Sequence, residues 1–203
     1  MDEQPRGTVQ ERLSALRERQ RRAESRRRLL VIGLSLLTGA GLIAAATVLV
    51  LQDRARTSLD AVQRIDVPRR NHTTSPVSYP QSPPVGGDHA PEWQNCGVYA
   101  EPVRNENAVH SQEHGAVWIA YRPGLPKEHL DVLLDQARGR DFVLLSPYEG
   151  LAAPVVLSSW GRQLRLDSAD DPRLVAYLRA NINGPETPEP GAICTGGIGE
   201  PSA

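Results

Sequence analysis

The sequence predicts an α+β protein: an N-terminal transmembrane helix, then one small mixed-sheet domain with two packing helices and a proline-rich loop. Three observations carry this. An uncharged run, "LLVIGLSLLTGAGLIAAATVLVL", fills 29–51. Strand-like and helix-like segments follow one another between residues 116 and 183 in the order β-α-β-β-β-α. Between the two, residues 66–92 hold Pro68, Pro76, Pro80, Pro83, Pro84 and Pro91, a density that forbids helix and central strand alike.

At the N-terminus, Thr8 with Glu11 reads as a capping box that opens a basic helix, anchored only by Leu13 and Leu16. Residues 1–28 form a basic segment with nine arginines. The 23 residues that follow, at about 1.5 Å each, give roughly 34 Å of helix, enough to cross a hydrocarbon core of ~30 Å. The expected first partner is therefore the lipid bilayer, through residues 29–51. Arg19, Arg21, Arg22, Arg26, Arg27 and Arg28 precede the span, against Arg54, Arg56 and Arg64 after it. The positive-inside rule then places the N-terminus in the cytoplasm and the rest outside the cell membrane. A cleaved signal peptide is the competing reading. The apolar run is long for one, and its exit lacks a small-x-small site, so a signal anchor is expected. Neither cysteine lies near the span, which excludes a lipobox.

After the span, "QDRARTSLDAVQRI" is expected to prolong the helix to Pro68, within a juxtamembrane helix and linker over 52–75. An extracytoplasmic domain over 76–186 and an irregular tail over 187–203, held by Cys194, complete the chain. In the proline-rich stretch, Gly86 and Gly87 supply a sharp turn before His89. Tyr79, Trp93 and Tyr99 interleave with it in a chain only 4% aromatic, so its later half is expected to lie ordered over the domain. "AVWIAY" (116–121) reads as a strand. "PGLPKEHLDVLLDQARGR" reads as a helix with Leu130, Leu133, Leu134 and Ala137 on one face. "DFVLLSPY" (141–148) is a second strand, and "APVVLSSW" with "RQLRL" an antiparallel pair turning at Gly161. A last helix starts from Asp171 as N-cap with Pro172 at its first position.

Cys96 and Cys194 both follow the span, where oxidation is permitted, and no Cys-x-x-Cys exists; a disulfide between them is expected, free buried thiols being the alternative. A net charge of −1 excludes a global field for nucleic acid, and no nucleic-acid partner is expected. No phosphate-binding loop or nucleophile elbow occurs, and Ser158-Ser159 has no evident base.

Several blocks resemble the bacterial domain of unknown function 3105 family: Tyr79 with Pro83-Pro84-Val-Gly-Gly-Asp-His89, Trp93 with Gly97-Val-Tyr99, Val109-His110-Ser-Gln-Glu113-His114-Gly115-Ala-Val, and Trp160-Gly161-Arg162. The likeness spans roughly residues 68 to 186. It implies one N-terminal transmembrane segment and a topology, not an activity. Where the family pattern implies a Pro-Pro-Thr-Ser-Gly-x-His loop, Val85-Gly86-Gly87-Asp88 stands before His89, so a hydroxyl pair is missing.

The candidate site is His89, His110, Glu113 and His114, with His72 as a possible additional ligand. Imidazole and carboxylate together suit zinc or copper(II). Copper(I) suits them less, because Met1 is the only methionine. His110 and His114 converge if their segment makes one helical turn. The competing reading is that these histidines only hydrogen-bond the proline loop onto the sheet. His129, among Lys127, Glu128 and Asp131, is expected at the surface. His-x-x-Glu-His is also an inverted zinc-protease pattern, but Gly115 and the β-like run after it leave room for one turn at most, and Glu149, Asp167, Asp170 and Asp171 offer no convincing further ligand. The function expected is thus a single-pass extracytoplasmic domain that binds a metal ion or a cell-envelope protein partner, without catalysis. A purely structural or partner-binding module is the alternative.

Overall fold

The structure, a computed structural model, describes residues 9–202. Met1, Arg6 and Thr8, and with Thr8 the expected capping box, lie outside them. The chain divides into two compact units, one through Ala55 and one from Arg56.

The first unit is a single helix, α1 (Val9–Arg56). Its apolar side chains are exposed on every side: Leu29, Leu37 and Leu42 are 69%, 72% and 72% exposed. Such a helix is long and apolar enough to cross a membrane or to serve as a signal sequence. Its threonine hydroxyls within the apolar run are spent internally. Thr38 Oγ1 donates to the Leu34 carbonyl at 3.0 Å and Thr47 Oγ1 to Ile43 at 2.8 Å, so neither threonine presents a bare donor on an apolar surface.

α1 stops at Arg56, short of the Pro68 expected from the sequence. Ser58 explains this. Its hydroxyl donates to Asp60 Oδ2 at 2.7 Å and accepts the Asp60 N–H at 3.3 Å, a local turn that competes with the helix. A further turn, Val62 N–H to Leu59 O, delivers the chain to the sheet edge.

The second unit is built on a six-stranded mixed sheet: β1 (Gln63–Arg64), β2 (Gly97–Val98), β3 (Val117–Tyr121), β4 (Val143–Pro147), β5 (Val155–Ser159) and β6 (Arg162–Leu166), in the order β1-β6-β5-β3-β4-β2. β3 and β4 run parallel, joined through α3 (Lys127–Ala137) as expected for a helical crossover. β5 and β6 are antiparallel about Gly161. β1 and β2, not anticipated, are two-residue strands too short to show any alternation.

Both faces of the sheet are covered, which is why "AVWIAY" is apolar throughout. Val117 and Ile119 face one core with α3 and α4 (Arg173–Asn181), around Leu133, Leu145, Leu174 and Tyr177. Trp118 and Ala120 face the other, with Tyr99, Ala108 and Leu144. Asp171 Oδ1 accepts the Arg173 N–H at 2.9 Å just ahead of α4, which starts one residue later than expected, with Pro172 at the N-cap position.

The second face is closed by α2 (Asn105–Glu113), a two-and-a-half-turn helix where at most one turn was expected. Gly115 ends it with φ +106°, and any side chain there would collide with Asn183. The tail is also better held than expected. Cys96 and Cys194 form a disulfide with Cα atoms 5.4 Å apart. Beyond it, Glu189 N–H bonds Glu113 O at 3.0 Å, Ile198 N–H bonds Trp93 O at 2.9 Å, and Ser202 N–H bonds Val98 O at 2.7 Å.

Candidate metal site

α2, "NENAVHSQE", is mostly polar, yet Glu106 through Glu113 are all buried. Burial of so many polar groups demands partners. They come from the backbone of the proline-rich loop. Glu106 Oε1 accepts the Val77 N–H at 3.0 Å, and Asn107 Nδ2 donates to Glu92 O at 2.6 Å. Ser111 Oγ donates to Gln94 O at 2.6 Å and Gln112 Nε2 to Pro84 O at 3.1 Å. The helix is thus a spool around which residues 77–94 are wound. That ordered path brings His89 to the helix, turned in by Gly86, whose missing side chain makes room for Val67 and Trp160.

Three imidazoles share one pattern. His89 Nδ1 lies 2.8 Å from Gly87 O, His110 Nδ1 2.7 Å from Ala90 O, and His114 Nδ1 2.7 Å from Ile193 O. A carbonyl can only accept, so in each neutral ring Nδ1 carries the hydrogen and Nε2 keeps the lone pair. Backbone carbonyls that fix a tautomer in this way are the usual outer support of a metal-bound histidine.

His72, His89, His110 and Glu113 bring one ligand atom each to within 4.8 Å of one another, a group able to hold a metal ion. His72 reaches it because residues 71–73 bridge to His89: His89 N–H bonds Asn71 O at 3.0 Å and Thr73 N–H bonds His89 O at 2.7 Å. Asp88 fastens this strap through the Asn71 N–H and side chain, both at 3.0 Å, and through Arg69. His72 is exposed, while the other three are buried. His89 Nε2 stands 2.9 Å from Glu113 Oε2, an ion pair whenever the ring is protonated.

The electrostatics separate the rings. Burial, reinforced by the neighbouring histidines, pushes His110 down to about 4, despite the Ala90 carbonyl, so it is neutral at physiological pH. Burial also pulls His89 down, but Glu113, the Gly87 carbonyl and Asp88 together prevail and raise it. Burial pushes Glu113 up, and His89 and its neighbours more than reverse this, so it is held below the ordinary carboxylate range.

His114 stands outside the group. Its ring packs edge-on against His110 at 4.5 Å, but its Nε2 faces Glu189 at 3.9 Å. As the residue that ends α2 it turns to the tail, while His72, ranked below it from sequence, takes the place beside His89. The protease pattern fails for a different reason from the one expected. The helix exists, yet Glu113 faces His89, and His114 does not join His110 in the group. His129 is partly exposed with Nε2 3.7 Å from Asp170. Trp93 was missed as a site residue; its ring lies 5.0 Å from His114 and 5.7 Å from His110. Its interleaving with the prolines was the available signal.

Fold and site together define a mixed-sheet domain with a buried histidine–carboxylate cluster, carried behind one apolar N-terminal helix. The chain belongs to the DUF3105 family, described as "Protein of unknown function (DUF3105)", whose profile matches residues 71–196. That match begins one residue before His72 and ends just past Cys194, so it holds the whole cluster and both cysteines. No curated protein and no solved structure is matched by the chain.

Proposed function

We propose that this chain is a single-pass, membrane-anchored extracytoplasmic module that binds one zinc or copper(II) ion through His72, His89, His110 and Glu113. The observation that carries this is the convergence of four donor atoms within 4.8 Å, with the His89 and His110 rings oriented through their Nδ1 atoms. Tetrahedral zinc at about 2.0–2.1 Å sets its ligands roughly 3.3 Å apart, so an entering ion draws the group inward. The exposed His72 is the donor with most freedom to close. A second reading, that the histidines only organise the loop, is favoured by the same Nδ1 bonds, which need no metal. The two differ at Nε2. Elemental analysis of the purified chain after zinc or copper(II) loading separates them: about one ion per chain is expected, and none at saturation leaves the loop reading alone.

Acid should weaken binding in a particular way. A metal must displace whatever proton the ligands hold. His89, raised by its acidic surroundings, still holds one above the ordinary histidine value of about 6.5, whereas His110 at about 4 competes only in strong acid. Zinc affinity should therefore fall as pH drops through the neutral range, with a proton released on binding. Titration calorimetry in buffers of different ionisation enthalpy measures that release. Affinity unchanged between pH 8 and pH 5.5 would contradict it.

For the orientation, six arginines between Arg19 and Arg28 precede the span. A reporter fused after residue 203 is expected to be active only outside the cytoplasm. Protection of the C-terminal domain from protease in intact spheroplasts would overturn this.

A further inference from the structure

We propose that a cleft at the sheet edge binds a small oxyanion, a phosphate or carboxylate group, between Arg64 and Arg162. The cleft has a volume of about 300 Å³ and is walled by Arg64, Asp66, Val67, Trp160, Arg162 and Glu186. That size suits a small ligand. β1 runs antiparallel to β6 with Arg64 directly opposite Arg162. Opposed residues of an antiparallel pair project to the same face, so two guanidiniums share it, which is unfavourable without a shared counter-charge.

Glu186 supplies only part of that counter-charge. Its Oε1 accepts from Arg162 Nη2 at 2.8 Å. Arg162 Nε is left buried with no hydrogen-bond acceptor. A guanidinium offers its donors as a planar fork that matches an oxyanion, and an unmatched buried donor is costly. An oxyanion in the cleft meets the exposed Arg64 and competes with Glu186 for the outer nitrogens of Arg162. Trp160, only 7% exposed, makes the flat wall. Asp66 and Glu186 balance the two arginines, so the cleft attracts no anion by net charge and selects by donor geometry instead.

Trp160 also stands edge-on to His89, with ring centres 6.0 Å apart. The test therefore uses the full chain in detergent, stripped of metal and freed of chelator, so that its outcome is independent of the metal reading. Inorganic phosphate and acetate are titrated separately against the Trp160 indole N–H resonance, assigned with Trp160→Phe. A saturable shift is expected with at least one of them. Arg64→Gln should weaken it by roughly threefold and Glu186→Gln should tighten it by a similar factor, as for one exposed charge pair. Both substitutions lie on exposed side chains outside either core. Which probe saturates identifies the group as phosphate or carboxylate. A shift that stays linear in both, or that is the same in wild type, Arg64→Gln and Glu186→Gln, overturns the proposal.

Discussion

Replacing His110 with alanine is expected to reduce zinc or copper(II) uptake by the purified chain to a small fraction of the wild-type level. His110 is 4% exposed, neutral at physiological pH and central to the cluster, with its ring 4.9 Å from both His72 and His89. Losing an outer-shell partner typically costs 10–100-fold in metal affinity, and losing a ligand should cost at least ~100-fold. The change also removes the bond to Ala90 O, so a loss of fold must be distinguished from a loss of ligand. His72→Ala makes that distinction. His72 is exposed and stands in neither core, so its removal should weaken uptake while leaving the melting temperature close to wild type. His114→Ala should retain the ion, since His114 Nε2 faces Glu189. Near-stoichiometric metal in His110→Ala would contradict the assignment.

The second large effect concerns stability. Cys194→Ser is expected to lower the melting temperature of the second unit by roughly 10 °C, at about 2–4 °C per kcal/mol for a unit of this size. The disulfide closes a loop with a sequence separation of 98 residues. In the chain-entropy account a loop of about 100 residues is worth ~4.7 kcal/mol, an upper figure for a denatured state that keeps some compactness. Cys96→Ser should match it, and the double substitution should cost no more than either single one. Metal uptake should survive all three, because none of the four donors lies on the tail. Alkylation of both thiols in the denatured, non-reduced protein would contradict the bridge.

Most of the sheet could be read from the sequence because β3, β4 and β5 are rich in apolar residues, β6 follows a turn at Gly161, and Gly and Pro bound the runs. α3 and α4 were legible through their apolar faces and the Asp171-Pro172 start. α2 was not, for a physical reason. Its partners are backbone carbonyls and N–H groups of a loop, so it carries no apolar period and resembles a solvated segment. The same reason hid half of the site's geometry. His89, His110 and Glu113 were visible as a local density of histidine and acid near a Gly-Gly turn. His114 was ranked above His72 because spacing by four residues puts His110 and His114 on one side of a helix. Spacing cannot reveal that α2 ends at His114, or that a two-residue bridge lays His72 over His89.

The sequence left two roles for the histidines in competition, and the proposed centre uses different nitrogens from those that hold the loop. Nδ1 of His89, His110 and His114 holds the backbone of the loop and tail. Nε2 of His89 is buried beside Glu113, on the side where the donors converge. A site that binds metal and a site that organises a loop are therefore compatible in one cluster.

X-ray absorption at the zinc or copper edge of the loaded full-length protein tests this most directly. Three imidazoles and one carboxylate oxygen are predicted around the ion, with metal–nitrogen distances near 2.0 Å, no sulfur, and one imidazole fewer in His72→Ala. A spectrum with fewer than two imidazoles, or one unaltered in both His72→Ala and His110→Ala, would contradict the proposed centre.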